Sequence, residues 1–141
     1  MTGRDVARVI NTGRIALGAA LMLAPRLAAR GWIGQDADAP GVTALARGLG
    51  VREAVLGAMG LHTMDNPQVG PRWQRTLALC DGVDLAATLA VRRSLPRAGV
   101  ALIVVLAGSA TGGQLWAAGR LAKIDPEPDS VFPPKRPSHR N

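Results

Sequence analysis

Six charged side chains lie inside otherwise apolar segments of this 141-residue chain, where ionic groups are uncommon. Three of them interrupt the segment from Gly41 to Leu61, which contains no other charged residue. The full set consists of three arginines and three acids: Arg14, Arg47, Arg52, Glu53, Asp81 and Asp84. Because their formal charges sum to zero, the sequence predicts a buried ion-pair network in which each charge meets an opposite one.

Two of the acids, Asp81 and Asp84, are three residues apart, which places both carboxylates on one face of a helix. Such a pair is compatible with acid–base chemistry of the glycosidase type, or with binding and relaying protons or cations. It is equally suited to neutralising arginines inside the protein, which is the interpretation that we favour. His62 has no second histidine or cysteine at ligand spacing. The sequence therefore predicts no catalytic residue, no cofactor, no metal ligand and no enzymatic activity.

The segment from Ala98 to Gly119 is uncharged and gives the clearest indication of a membrane span. A helix of this length measures about 33 Å, which is enough to cross the hydrocarbon core of a bilayer. Three other apolar segments predict helices of similar length, and aromatic residues make up only 3% of the chain. We therefore predict an all-α fold, an integral membrane four-helix bundle in residues 1–122. Its spans lie at about 6–25, 41–62, 73–91 and 98–119.

Small and polar residues recur at helical spacing in these segments. Asn11, Arg14 and Gly18 share one face of the first predicted helix, which is expected to point inward. In the second helix every fourth residue from Ala46 to Ala58 is small, and the fourth helix contains a G-x-x-x-G motif. Small residues in this register allow helix backbones to approach closely. The predicted helix-packing residues are Gly50, Ala54, Gly108 and Gly112.

Residues 123–141 differ in composition from the rest of the chain, being rich in proline and charge. Such a segment cannot build a core of its own and favours extended, polyproline II-like conformations. We predict a Pro-rich extended tail that docks on a partner subunit. The predicted docking residues are Val131, Phe132, Pro133 and Pro134.

The net charge of +7 has to be assigned to a class of partner. No basic patch with interleaved aromatic residues occurs, so nucleic acid is not an expected partner. A positive surface next to anionic lipids is the preferred interpretation. Outside the predicted spans or within their first three residues, nine basic residues lie on the side of the termini and five on the other side. This asymmetry predicts a multi-pass protein of the cytoplasmic (inner) membrane with both termini in the cytoplasm.

Several short motifs resemble a family of small four-span membrane proteins of unknown function in actinobacteria, the DUF4267-like group. They are Gly13-Arg14, then Ala24-Pro25-Arg26, and above all the run from Ala46 to Glu53, ARGLGVRE. The similarity covers roughly residues 6–118. It implies a four-helix membrane bundle and carries no implication about activity.

Taken together, these features predict a non-enzymatic accessory or structural subunit of a larger envelope membrane complex. Its partners would be other membrane protein subunits and lipids. Candidate hosts are an MCE-type lipid-import ABC system, a respiratory supercomplex or a cell-wall glycosyltransferase. The alternative is a small proton- or ion-coupled transporter that uses the buried carboxylates and arginines. A membrane enzyme in which Arg47 or Arg52 binds a lipid phosphate ranks third.

Overall fold

The computed structural model describes residues 1–123, and within this range all regular structure is helical. The helices are α1 (Gly3–Leu23), α2 (Pro25–Ile33), α3 (Pro40–Thr63), α4 (Gly70–Ala90) and α5 (Arg97–Leu121), and a 3-10 helix (Gly34–Asp38) joins α2 to α3. The all-α prediction is thereby confirmed for this part of the chain. Each predicted span falls on one of the four long helices, with bounds that agree to within three residues. The four proposed tail-docking residues, Val131 to Pro134, lie outside the described residues.

The helix boundaries follow from local chemistry. Thr2 caps α1 with a capping box, because its hydroxyl accepts from the backbone N–H of Asp5 and the Asp5 carboxylate accepts from the backbone N–H of Thr2. Pro25 and Pro40 stand in the first turns of α2 and α3. A backbone N–H at these positions would have no acceptor within the helix, so the lack of an N–H in proline costs no hydrogen bond. Gly34 ends α2 with a φ of 69°, a conformation that favours glycine.

The long helices form an up-and-down bundle in which α1 packs mainly against α3, and α5 mainly against α4. α1 also contacts α5, whereas α3 and α4 touch only sparsely. The short helix α2 folds against α1, α3 and α5 at one end of the bundle, which we call the α2 end. The backbones of α1 and α3 approach each other closely. A Cβ atom added to Gly18 would lie 2.6 Å from the carbonyl oxygen of Gly50 and 2.7 Å from the backbone nitrogen of Ala54.

The predicted packing residues therefore divide into two groups. Gly50 and Ala54 lie in the contact between α1 and α3. Gly108 and Gly112 have no described atom within 4 Å of an added Cβ, so their face of α5 is open among residues 1–123. A helix face of this kind is able to accept another helix backbone at close range.

The distribution of apolar side chains is inverted relative to a water-soluble bundle. Among the described residues, 20 large apolar side chains are exposed and only four are buried, namely Leu21, Met64, Leu77 and Leu121. Alanine supplies seven of the 11 buried apolar residues. A soluble domain places most of its large apolar residues inside, since their burial drives folding in water.

Two helices, α1 and α5, are long and apolar enough to cross a membrane by length and composition. The most apolar part of α5 is only 11% buried, and that of α1 is 28% buried. The core helix of a soluble protein passes the same test, but with most of its surface covered, and a signal sequence passes it as well. Of the two helices, α1 lies near the N-terminus, where a signal sequence would be found.

Candidate functional site

The interior of the bundle contains seven polar or charged side chains beside its 11 apolar ones, among residues 1–123. Of the five largest side chains that are fully buried within residues 1–123, four are polar: Gln74, Gln114, Asn11 and Thr88. Burying such groups costs free energy unless each of them finds a hydrogen-bond partner. These buried polar side chains therefore form the candidate site.

Helical spacing brings the polar groups together. The buried residues of α1 include Ala7, Asn11, Arg14, Gly18 and Leu21, which recur at intervals of three and four residues. The buried residues of α3, which start at Ala46 and include Glu53, follow the same intervals. This spacing aligns side chains along one stripe of each helix, and the two stripes face each other.

A cluster of four side chains lies at the centre, one from each long helix: Arg14, Glu53, Asp81 and Gln114. Arg14 Nη1 donates to Glu53 Oε2 at 2.5 Å, and Arg14 Nη2 donates to Asp81 Oδ1. Gln114 Nε2 donates to the second oxygen of Asp81 at 2.7 Å. All four residues are buried. This central cluster therefore ties α1 to α3 and α4, and α4 to α5, through charge-assisted hydrogen bonds.

A second ion pair adjoins the central cluster. Arg52 Nη2 lies 2.8 Å from Asp84 Oδ2, and Arg52 Nη1 donates to Asp84 Oδ1 at 3.4 Å. Arg52 Nε also approaches Glu53 Oε1 to 3.7 Å, which joins the pair to the cluster. The side chains of Arg52 and Asp84 are 39% and 32% exposed, so this pair is weaker than the buried one.

One helical turn from Arg14, amide side chains form a further buried layer. Asn11 Nδ2 donates to the carbonyl oxygen of Ala7 at 2.8 Å and to Gln74 Oε1 at 3.4 Å. Gln74 Nε2 donates to the carbonyl oxygen of Gly60 at 3.5 Å. The Asn11 side chain occupies the space that a Cβ on Gly60 would need. The layer thus links α1, α3 and α4 without any charge.

The structure brings five of the six predicted network residues together and leaves one out. Arg47 is exposed, and its Nε donates to the carbonyl oxygen of Met22 at 3.4 Å, away from the carboxylates. The prediction of a neutral six-residue network is therefore corrected. With two arginines and three acids, the five remaining groups carry a formal charge of −1 when all are ionised.

Three atoms of the central cluster have no hydrogen-bond partner among the described residues: Arg14 Nε, Glu53 Oε1 and Gln114 Oε1. Each is able to make a further hydrogen bond, so the hydrogen-bonding capacity of the cluster is not used up by its internal contacts. No group of three or more histidine, cysteine, aspartate or glutamate side chains is placed to hold a metal ion within residues 1–123. The arrangement is suited to joining helices and to binding a proton.

Gln74 and Gln114 are the residues that the sequence reasoning missed. Both are uncharged, so neither stood out in the sequence as a polar side chain that is costly to bury. A detectable signal existed for Gln74, which lies seven residues before Asp81 and hence on the same helix face.

A scan against protein-family models, a search of curated proteins and a search of solved structures each found no match for this chain. The resemblance to small four-span actinobacterial proteins consequently stays a prediction that rests on the motifs themselves.

Proposed function

We propose that this chain is a multi-pass membrane bundle that serves as a non-enzymatic accessory subunit of a larger membrane complex. The observation that carries the proposal is the inverted distribution of side chains, with 20 large apolar residues exposed and charged and amide side chains buried among small apolar ones. In lipid such a surface is solvated by acyl chains, whereas in water it would drive aggregation.

The dimensions of the helices support a membrane location. At the usual helical rise, α1 and α4 measure about 31 Å, α3 about 36 Å and α5 about 37 Å, so each is long enough for the hydrocarbon core. Of the four, α1 and α5 are also apolar enough to cross it by composition. Arg14, Glu53 and Asp81 lie near the midpoints of their helices. Charges at that depth are tolerated when they pair with one another, as these do.

A structural role is favoured because the ionic groups bind each other. In the central cluster both Arg14 Nη atoms are used to bridge Glu53 and Asp81, which joins three helices. The open face of α5 at Gly108 and Gly112 supplies a surface that another membrane helix fits. We place the protein in the cytoplasmic membrane with both termini in the cytoplasm, in keeping with the distribution of its basic residues.

The proposal predicts that other membrane subunits travel with the chain. We expect mild detergent extraction of native membranes, followed by affinity isolation and quantitative mass spectrometry, to recover stoichiometric partner chains. Their identities distinguish the MCE-type lipid importer from the respiratory and cell-wall hosts. Recovery of the chain alone, or as a homo-oligomer, would contradict the accessory role.

Substitution of the open α5 face sharpens this experiment. Gly108→Leu is expected to reduce partner recovery at least about fivefold, because a leucine side chain blocks close helix approach. Gly48→Leu is the matched control, since an added Cβ at Gly48 also meets no described atom within 4 Å. Both variants should keep the melting temperature of the isolated chain. Equal recovery with the two variants would show that partners bind elsewhere.

A second candidate function is favoured by the formal charge of −1 on the ionic groups. One bound proton brings them to neutrality, which a low-dielectric interior favours. A bundle that takes up and releases this proton could act as a small proton-coupled transporter. The central cluster then provides the proton site, with Glu53 and Asp81 as its carboxylates.

This second function predicts that Asp81→Asn abolishes transport without unfolding the protein. The amide oxygen of the new asparagine can accept a hydrogen bond from Arg14. Its amide nitrogen can donate a hydrogen bond to Gln114 Oε1 if the Gln114 amide group rotates by about 180°. The fold should therefore persist. We expect proton flux into vesicles containing the purified chain to fall at least about tenfold, while the melting temperature stays within a few degrees. Absence of wild-type flux above that of empty vesicles would reject the transporter.

A further inference from the structure

A pocket of about 360 Å³ opens at the α2 end of the bundle, where α1 turns into α2 beside the first turns of α3. It is separate from the central cluster and from the open face of α5. Two arginines line it together with apolar and hydroxyl side chains: Ala24, Pro25, Arg26, Leu27, Thr43 and Arg47. A pocket with this lining is suited to an anion that carries an apolar body.

The cationic groups of this pocket are not neutralised within residues 1–123. Arg47 uses Nε to bind the carbonyl oxygen of Met22 in the last turn of α1, and its two terminal nitrogens make no hydrogen bond or ion pair in that range. The Arg26 guanidinium makes none there either. Asp38, in the 3-10 helix that joins α2 to α3, is paired with Arg30 at 2.6 Å. Two guanidinium groups are therefore available to an external anion.

The remaining walls supply a further donor and an apolar rim. The Thr43 hydroxyl is buried and has no hydrogen-bond partner among the described residues. Leu27, which lines the pocket, is 77% exposed, and Leu23 at the end of α1 is 85% exposed. Arg47 lies seven residues into α3, about 10 Å from its start, a depth from which an arginine reaches the headgroup level of a bilayer.

We propose that this pocket binds the phosphate group of a membrane phospholipid, with Arg26 and Arg47 as its cationic ligands. Guanidinium groups bind phosphate through paired, charge-assisted hydrogen bonds. The acyl chains would lie against Leu23 and Leu27. The site rests on the membrane location proposed above. Inorganic phosphate shares the anionic chemistry but lacks the apolar body that these leucines would contact.

The test titrates the purified full chain in mild detergent with phosphatidylglycerol and counts the bound lipid by native mass spectrometry. The variant R26Q/R47Q is expected to bind about 20-fold more weakly, because it loses both cationic ligands. The matched control R92Q/R93Q removes two exposed arginines from the same end of the bundle but outside the pocket, and should lose less than about threefold. Equal losses in the two variants would overturn the site in favour of diffuse attraction.

Two further measurements complete the test. Inorganic phosphate at millimolar concentration should leave the bound phosphatidylglycerol in place, and displacement of the lipid would overturn the lipid assignment in favour of a free anion. If R26Q/R47Q does not fold, R26K/R47K replaces it, keeping the charge but losing the paired geometry of guanidinium, with an expected loss of about fivefold. Lysine binding equal to wild type would then overturn the proposal.

Membrane fractionation separates failure of this site from failure of the proposed function. A chain found in the soluble fraction contradicts the membrane location itself. If the chain is in the membrane but R26Q/R47Q binds lipid as tightly as the wild type, only the proposed site is contradicted.

Discussion

Replacing Arg14 with methionine is expected to lower the free energy of unfolding by about 3–5 kcal/mol, because it leaves the buried Asp81 carboxylate without a counter-charge and Glu53 with only the more distant Arg52. Arg14 is the only described cation within 4 Å of Asp81, and it is the closer of the two that contact Glu53. The measurement is unfolding of the detergent-solubilised chain by titration with sodium dodecyl sulfate, followed by circular dichroism.

Two controls distinguish charge pairing from general disruption. Arg47→Met removes an arginine that is exposed and outside the central cluster, so its cost should stay below about 1 kcal/mol. The triple variant R14M/E53Q/D81N removes all three ionisable groups of the cluster and should recover most of the lost stability, as neutral replacement of a buried ion network commonly does. A triple variant as unstable as the single one would show that Arg14 acts through packing alone.

The elements of the fold could be predicted from the sequence because each has a strong local signal. Apolar segments with few charges mark the long helices, and Pro25 and Pro40 mark where new helices begin. Which helix packs against which has no such local signal in the sequence. That α1 packs closely on α3 depends on Gly18 meeting Gly50 and Ala54, and a small residue on one helix does not identify its counterpart on another.

The ionic site was predictable to the extent that burial of charge is costly. Arg14, Glu53 and Asp81 stand in apolar segments, so their burial beside opposite charges follows from electrostatics, whereas the choice of partner for each arginine does not. Arg47 was included in the predicted network because the formal charges of the six residues sum to zero. That sum takes no account of which face of the helix each residue occupies. Arg47 follows Ala46, which is on the buried stripe of α3, and is therefore turned about 100° away from it. Helical register was the better guide, and it separates Arg47 from Glu53.

Replacing Gly18 with alanine is expected to lower the free energy of unfolding by about 1–3 kcal/mol, because the added Cβ overlaps backbone atoms and no rotamer change can relieve the overlap. The nearest atoms are the carbonyl oxygen of Gly50 and the backbone nitrogen of Ala54, so α1 and α3 must move apart. Separation also lengthens the hydrogen bond from Arg14 to Glu53, which lies one turn away, so the cost should approach the upper end of this range.

Gly13→Ala is the matched control on the same helix, since an added Cβ there meets no described atom within 4 Å. Alanine is the better helix former in water, so this variant should be neutral or more stable by about 0.5–1 kcal/mol. The same denaturant titration measures both variants. Equal stabilities would show that the contact between α1 and α3 tolerates a wider spacing. In that case the buried ion pairs, rather than close backbone packing, would hold the two helices together.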